Sequence, residues 1–156
     1  MSVIVIRPDE LKKRKSYKLS QTVYDNFIEL AKYPNLKHTK EEIERILDDN
    51  GAIFCVIMYK NKIVAYLLGE VMSIGDRRTV AYITYLYTAS KFRNNGLASE
   101  LIDYIEHFST KNRLNGVMLI CDTEDKKVYD FYQKRGFMLD PNLRRYEKYD
   151  VLYKSL

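Results

Sequence analysis

Three consecutive segments in the middle of the chain restrict what it can fold into. Val80 to Thr88 has the apolar and aromatic composition of a strand, and from Leu97 to about Lys111 apolar residues recur at helical spacing. The polar turn between them, Arg93 to Ala98, contains Gly96, which lets the backbone approach a ligand closely. The first N–H groups of a helix have no intrahelical partner, and the helix dipole places about half a positive charge there. The turn therefore predicts a binding site for a phosphate or pyrophosphate.

A second strand is predicted directly after this helix. Val117 to Cys121 is a short, continuously apolar run, which is typical of a strand buried on both faces of a parallel sheet. Strand, helix and strand in this order form one right-handed crossover. The carboxyl ends of its two strands border a crevice, where open sheets commonly bind ligands.

The other segments predict a mixed and mostly antiparallel sheet. Ala52 to Tyr59 and Ile63 to Met72 read as strands that form a meander with Val80 to Thr88. The remaining predicted elements are a first strand at Met1 to Ile6, helices at Gln21 to Lys32, from Thr39 to Asn50 and at Glu124 to Arg135, and closing strands at Phe137–Met138 and Tyr146 to Tyr153 around a turn at Pro141–Asn142. Together they predict a single α/β domain of the α+β kind over residues 1–156, with about six to seven strands and helices on both faces.

Composition excludes several classes of protein. With 46% hydrophobic and 30% charged residues in 156, the chain has the composition of one globular domain. Its longest apolar runs are far below the roughly 20 residues that span a bilayer, and the N-terminus lacks the features of a signal peptide. We therefore expect a cytoplasmic protein without a membrane partner. Cys55 and Cys121, both within apolar strand patterns, are expected to be buried hydrophobic residues.

The net charge of +5 does not by itself indicate a nucleic-acid partner. Basic residues are scattered apart from the run Lys12 to Lys15, and the 14 tyrosines fall at strand positions beside aliphatic residues. Nucleic acid is therefore not expected as a partner, and no metal site is expected either.

Two motifs together resemble a known family. The turn matches the pattern Arg/Gln-x-x-Gly-x-Gly/Ala at Arg93, Gly96 and Ala98, and Phe131 to Phe137 follows about thirty residues later. The turn lacks the Gly-Lys-Ser/Thr of a nucleoside-triphosphate loop and the three spaced glycines of a dinucleotide site. The pair of motifs resembles the GNAT superfamily of acetyl-CoA-dependent N-acetyltransferases. The resemblance implies acetyl-CoA as the acetyl donor, bound in the crevice of the crossover.

The resemblance also implies which residues hold coenzyme A. Backbone amides of the loop would bind the pyrophosphate, Arg93 would add positive charge, and the main chain of the preceding strand would hydrogen-bond the pantetheine arm. These loop and strand residues are Asn94, Asn95, Gly96, Leu97, Ala98 and Ser99, with Leu86, Tyr87 and Thr88. Asp125 is a further candidate for the pantetheine arm, and Lys134 for a phosphate.

The resemblance implies one catalytic candidate, and a carboxylate within an apolar strand provides a second. Tyr132 matches the family tyrosine that protonates the coenzyme A sulfur, although it also fits a packing role beside Phe131. Glu70 is the candidate base, although an outward-facing strand glutamate is an equally good interpretation. Relatives that acetylate polyamines carry adjacent acidic residues where this chain has Thr84 and Tyr85, which argues against a polyamine acceptor.

The predicted function is transfer of an acetyl group from acetyl-CoA directly to a primary amine. The acceptor would be a small molecule, or a lysine or N-terminus of a protein or peptide. The alternative is a non-catalytic acyl-CoA-binding or sensor domain, which the absence of an acidic residue at Thr84 and Tyr85 keeps open. Small domains of this family often pair through sheet edges, so a homodimer is a candidate assembly.

Overall fold

The computed structural model describes residues 2–6, 41, 45, 52–60, 62–122, 124–146 and 149–156. The described elements, in chain order, are β1 (Ser2–Ile6), β2 (Ala52–Tyr59), β3 (Lys62–Ser73), β4 (Thr79–Thr88), a 3-10 turn (Ser90–Phe92), α1 (Leu97–Lys111), β5 (Gly116–Asp122), α2 (Lys126–Lys134), β6 (Met138–Tyr146) and β7 (Tyr149–Ser155). Glu41 and Arg45 are helical, within the second predicted helix. The predicted helix at Gln21 to Lys32 lies outside the described residues.

The strands form one seven-stranded sheet in the order β1-β2-β3-β4-β5-β7-β6. Only β4 and β5 pair in parallel, and every other neighbouring pair is antiparallel. Helix α1 connects the two parallel strands, so the predicted mixed sheet with one strand–helix–strand crossover is confirmed. The sheet ends at β1 on one side and at β6 on the other, and pairing of two copies through such an edge stays a prediction.

Both described helices pack against the same face of the sheet. Leu101 and Ile105 of α1 are fully buried, in one cluster with Ile57 of β2 and Leu119 of β5. Tyr132 of α2 belongs to the same cluster. Burying a side chain such as Leu or Ile contributes about 1.5–3 kcal/mol, so this apolar stripe holds the start of α1 at a fixed position beside the crossover.

Near its C-terminal end the chain differs from the sequence-based expectation. The turn expected at Pro141–Asn142 is instead part of β6, whose pairing with β7 is irregular between Leu139 and Arg144. Because β6 is an edge strand, Pro141 can lie in it without breaking a ladder on both sides. Asp140, just before the proline, accepts a hydrogen bond from the backbone N–H of Leu143 at 3.0 Å.

A buried ion pair fastens this strand to the turn before β4. Arg78 donates to Asp140 at 2.7 Å and to Asp76 at 2.6 Å, and its guanidinium lies 4.5 Å from the ring centre of Tyr153. The Asp140 side chain is fully buried, whereas that of Asp76 is 33% exposed. The hydrogen bonds from Arg78 hold the pKa of Asp140 below its usual value, against the opposing effect of burial.

We expect Asp140→Ala to lower the free energy of unfolding by about 3 kcal/mol at pH 7, because it leaves Arg78 without its buried partner. The pKa of Asp140 is lower in the folded state, so its stabilising effect is complete above about pH 4 and is lost as the pH falls further. Urea denaturation at pH 7 and at pH 3 should show a smaller difference between variant and wild type at pH 3. Asp76→Ala, at a more exposed partner, should destabilise the fold less than Asp140→Ala does.

Candidate active site

A bulge in β4 lies at the centre of the candidate site. Leu68 of β3 pairs with Tyr85, but the next residue, Gly69, pairs with Ile83, so Thr84 has no partner in the register. Bulges bend a strand and increase its twist. Parallel pairing of β4 with β5 covers only Val80–Ile83 and stops directly before the bulge.

Beyond that point the two parallel strands separate. From Tyr85 to Thr88, β4 pairs with β3 on one side, but the described residues give it no strand partner on the other. This side of β4 could take an extended ligand in the position of an added strand. Meanwhile β5 continues to Asp122 and is paired there with Tyr149 of β7.

A cavity of about 230 Å³ occupies the gap between the separated strands. Strand β4 contributes Ile83, Thr84 and Leu86, and β5 contributes the four consecutive residues from Leu119 to Asp122. One side of α2 closes the cavity with Asp125, Val128 and Tyr132. The wall thus combines apolar side chains with one phenol, one thiol and one hydroxyl, and it has two carboxylates near the start of α2.

Tyr132 is held by packing against two aromatic side chains, one on its own helix and one just after that helix. Its ring meets Phe131 and Phe137 edge to face, with ring centres 5.2 and 5.5 Å away. Only 7% of the residue is exposed. Burial, with a smaller effect from the neighbouring Cys121 thiol, raises the pKa of Tyr132 above its usual value. Its phenol is therefore protonated at neutral pH and is available as a hydrogen-bond or proton donor.

Cys121 lies in the same cavity and is 3% exposed. Burial, and then the negative charges of Asp125, Asp122 and Asp150, raise the pKa of its thiol to about 11. A thiol reacts as the thiolate, so these surroundings keep Cys121 in its unreactive form at neutral pH.

The loop before α1 has the backbone shape that an anion site needs. Gly96 caps the helix with a φ of 74° and, as a glycine, has no side chain to accept from the N–H groups of the first turn. A positive φ of this kind favours glycine, and Asn94 also adopts one at 64°. The amides of Leu97, Ala98 and Ser99 begin the helix and have no intrahelical acceptor.

Side chains of the loop stabilise its turn. The Asn95 amide donates to the carbonyl oxygens of Phe92 at 3.0 Å and Arg93 at 3.2 Å. Arg93 donates to the carbonyl oxygen of Thr88 at 3.3 Å, across the end of β4. These contacts hold the loop and the positive charge of Arg93 at the C-terminal end of β4.

The structure brings some predicted residues together and separates others. Leu86, Asp125 and Tyr132 line the cavity, and Asp125 also caps α2 by accepting from the N–H of Val128 at 3.3 Å. Glu70 pairs with Tyr82 on the face of the sheet opposite Tyr132 and does not line the cavity. Lys134 is exposed and lies two residues past Tyr132, about 200° further around α2.

Tyr87 follows the same division between the two faces of the sheet. Its ring packs against Tyr66 with centres 5.3 Å apart, away from the cavity. The role predicted for Tyr87 uses its main chain, which pairs with Tyr66 of β3, and it stays a prediction.

The sequence did not predict the bulge, nor that Ile83, Leu119, Ile120 and Asp122 line the cavity. One signal was present in the sequence. Gly69 interrupts an otherwise apolar strand, and a Cβ there would collide with the carbonyl oxygen of Tyr82. A glycine inside a strand marks a bulge or a close approach of backbones, and both occur here.

Comparison with known proteins decides the family. The model of the acetyltransferase (GNAT) family matches residues 20–137. The chain belongs to the GNAT acetyltransferase family. The predictions of an acyltransferase and of acetyl-CoA as its acetyl donor are thereby confirmed. No curated protein matches the sequence.

Solved structures share the fold of this GNAT acetyltransferase. Ard1 from Thermoplasma volcanium is 20% identical with a TM-score of 0.74, and the match covers 99% of this chain and 97% of that one. Arabidopsis thaliana NAA60 in complex with acetyl-CoA is 15% identical with a TM-score of 0.72, covering 99% and 98%. An aminoglycoside acetyltransferase from an uncultured soil metagenomic sample, in complex with sisomicin, is 18% identical with a TM-score of 0.68, covering 93% of both chains.

Two features are absent from the described part of the acetyltransferase. None of its described helices is long and apolar enough to cross a membrane. Within the same part of the chain, no three His, Cys, Asp or Glu residues lie close enough together to hold a metal ion.

We expect Cys121 to react slowly with a thiol reagent in the native acetyltransferase. With a pKa of about 11, roughly one thiol in a thousand is ionised at pH 8, and the rate should rise about tenfold per pH unit up to pH 10. Labelling followed by peptide mapping distinguishes Cys121 from Cys55, whose pKa is raised to about 12. A rate that levels off near pH 8.5, as it should in the denatured chain, would contradict the raised pKa.

Proposed function

We propose that this GNAT acetyltransferase transfers the acetyl group from acetyl-CoA directly to a primary amine, within a complex of all three. The observation that carries the proposal is the gap between β4 and β5, because it joins a free strand edge to a cavity that contains a protonated phenol. The acceptor is proposed to be an amine of a small molecule, or a lysine or N-terminus of a protein or peptide.

The described residues fit an extended donor that carries phosphates. The side of β4 that faces away from β3, from Thr84 to Thr88, would hydrogen-bond the amides of the pantetheine arm. The amides of Asn94 to Ser99 would bind the pyrophosphate at the start of α1, where the helix dipole and Arg93 supply positive charge. Asp125 would accept from the arm at the far wall of the cavity, and Lys134 would reach a phosphate only from the outer side of α2.

Tyr132 is proposed as the general acid for the departing thiolate. A free thiol has a pKa of about 8.5 and a phenol about 10. Proton transfer from the phenol to the thiolate is therefore unfavourable in water, but its free-energy cost is small. In this cavity, burial raises the pKa of both kinds of group, as Tyr132 and Cys121 show. A thiolate formed beside Tyr132 is therefore a stronger base than in water, and the phenol can hydrogen-bond and protonate it.

Direct transfer is favoured over an acetyl-cysteine intermediate. Cys121 is the only cysteine that lines the cavity among the described residues, and its raised pKa leaves almost no thiolate at neutral pH. An amine nucleophile must also be neutral, and Glu70 is proposed to take its proton. Its position on the opposite face from Tyr132 would keep the base and the acid on different sides of the sheet.

Thiol release from acetyl-CoA tests the reaction with a panel of amines. The panel spans aminoglycosides, polyamines, amino acids, arylalkylamines, lysine peptides and peptides with free N-termini, because the similar folds include Ard1, NAA60 and an aminoglycoside acetyltransferase. Turnover with an amine supports the proposal. Tight binding of coenzyme A without turnover of any acceptor would instead indicate an acyl-CoA sensor.

We expect Tyr132→Phe to lower kcat by about 100-fold with little change in the affinity for coenzyme A, because only the proton donor is removed. Tyr129→Phe is the matched control, since Tyr129 lies on the same helix, packs against the core and does not line the cavity. Steady-state kinetics and calorimetric titration measure the two quantities. Full activity in Tyr132→Phe would remove its role as the general acid.

We expect Gly96→Asp to weaken coenzyme A binding by at least about tenfold, because it places a negative charge at the pyrophosphate site and a side chain at a positive φ. Gly96→Ala separates the strain from the charge and should lose less affinity. Gly75→Asp is the matched control, because Gly75 has open space around it in the turn at the other end of β4. Equal affinity in Gly96→Asp and Gly75→Asp would contradict the assignment of the loop.

A further inference from the structure

One hydroxyl in the cavity is buried without a partner. The Thr84 side chain lies at the bulge, and among the described residues its Oγ1 atom finds no hydrogen-bond donor or acceptor. Leaving a buried hydroxyl unsatisfied costs about 1–3 kcal/mol. A valine has nearly the same shape and would avoid this cost, so stability does not account for the threonine.

The position of Thr84 indicates that its partner arrives with a ligand. Thr84 shares the cavity with Tyr132 and Leu86 and stands where β4 and β5 begin to separate. Its neighbours in the wall, Ile83, Leu119 and Ile120, are apolar and supply no competing polar side chain. A group that enters the gap at this point would therefore meet the Thr84 hydroxyl beside apolar side chains.

The chemistry of the cavity selects a carbonyl oxygen as this partner. A hydroxyl can donate one hydrogen bond, which satisfies a neutral carbonyl, whereas an ammonium group needs several acceptors. A carboxylate at this position could only accept, so a threonine provides a donor that an ionised acidic residue could not. Hydrogen bonds strengthen when the acceptor gains negative charge, as a carbonyl oxygen does under attack by an amine.

We propose that the Thr84 hydroxyl donates a hydrogen bond to the carbonyl oxygen of the donor's acyl thioester, and that this bond strengthens as the amine attacks. Thr84 is then a catalytic residue that distinguishes acyl-CoA from free coenzyme A. The inference rests on the proposed function, because it requires the acyl end of the donor to lie in this cavity.

Thr84→Val and Thr84→Ser test the proposal. Valine keeps the shape and removes the hydroxyl, so kcat should fall roughly 10- to 100-fold, whereas serine keeps the hydroxyl and should remain within about threefold of wild type. Thr79→Val, at the start of the same strand and outside the cavity, controls for the Thr-to-Val change itself. Full kcat in Thr84→Val would overturn the proposal.

Binding gives a second measurement that does not depend on turnover. Calorimetry with free coenzyme A and with a non-hydrolysable ketone analogue of acetyl-CoA measures the preference for the acyl carbonyl. Thr84→Val should reduce that preference roughly 3- to 10-fold and leave the affinity for free coenzyme A unchanged. An equal loss of affinity for both ligands would overturn the proposal, since the hydroxyl would then contact the pantetheine arm.

Thermal unfolding of the free protein supplies a third measurement. Because valine removes an unsatisfied hydroxyl, Thr84→Val should raise the Tm by about 2–4 °C. A fall in Tm would show that the hydroxyl has a partner in the free protein, and it would overturn the proposal. If wild type turns over no amine, the proposed function fails. The binding preference and the Tm still test the hydroxyl in that case.

Discussion

The rest of the site depends on the break in pairing between β4 and β5. Parallel strands normally remain hydrogen-bonded along their common length, and here the ladder stops after four residue pairs because β4 carries an extra residue at Thr84. The bulge changes the direction of β4 while its pairing to β3 continues, and β5 stays paired to β7. An opening inside the sheet results, with backbone groups along one side and apolar side chains on its walls.

The two described helices turn this opening into a site. Both pack on one face, where Leu101 and Tyr132 share a core cluster, so the start of α1 and the wall formed by α2 are placed by the same buried contacts. Apolar packing is not directional, but at the density of a protein interior it holds side chains in fixed positions. The phenol of Tyr132 therefore keeps its place without a strong polar anchor.

Burial of its phenol and thiol gives the cavity its chemical character. Burial raises the pKa of Tyr132 and that of Cys121. The phenol therefore stays protonated as a proton donor, and the neighbouring thiol stays unreactive. The same surroundings make any single hydrogen bond worth more, because water does not compete for it. The charged groups of the site, Arg93, Asp122 and Asp125, stand at its ends.

The sequence by itself determined the order of elements, the crossover and the loop at Gly96, because hydrophobic periodicity and glycine at a helix start are local properties. The paired motifs at Arg93 and Phe131 also identified the family. Local patterns could not show that Pro141 lies inside an edge strand, nor that Glu70 and Tyr132 occupy opposite faces. Only the tertiary structure decided the bulge, the separation of β4 from β5 and the absence of a partner for the Thr84 hydroxyl among the described residues, because each depends on the register with which strands pair in the folded sheet.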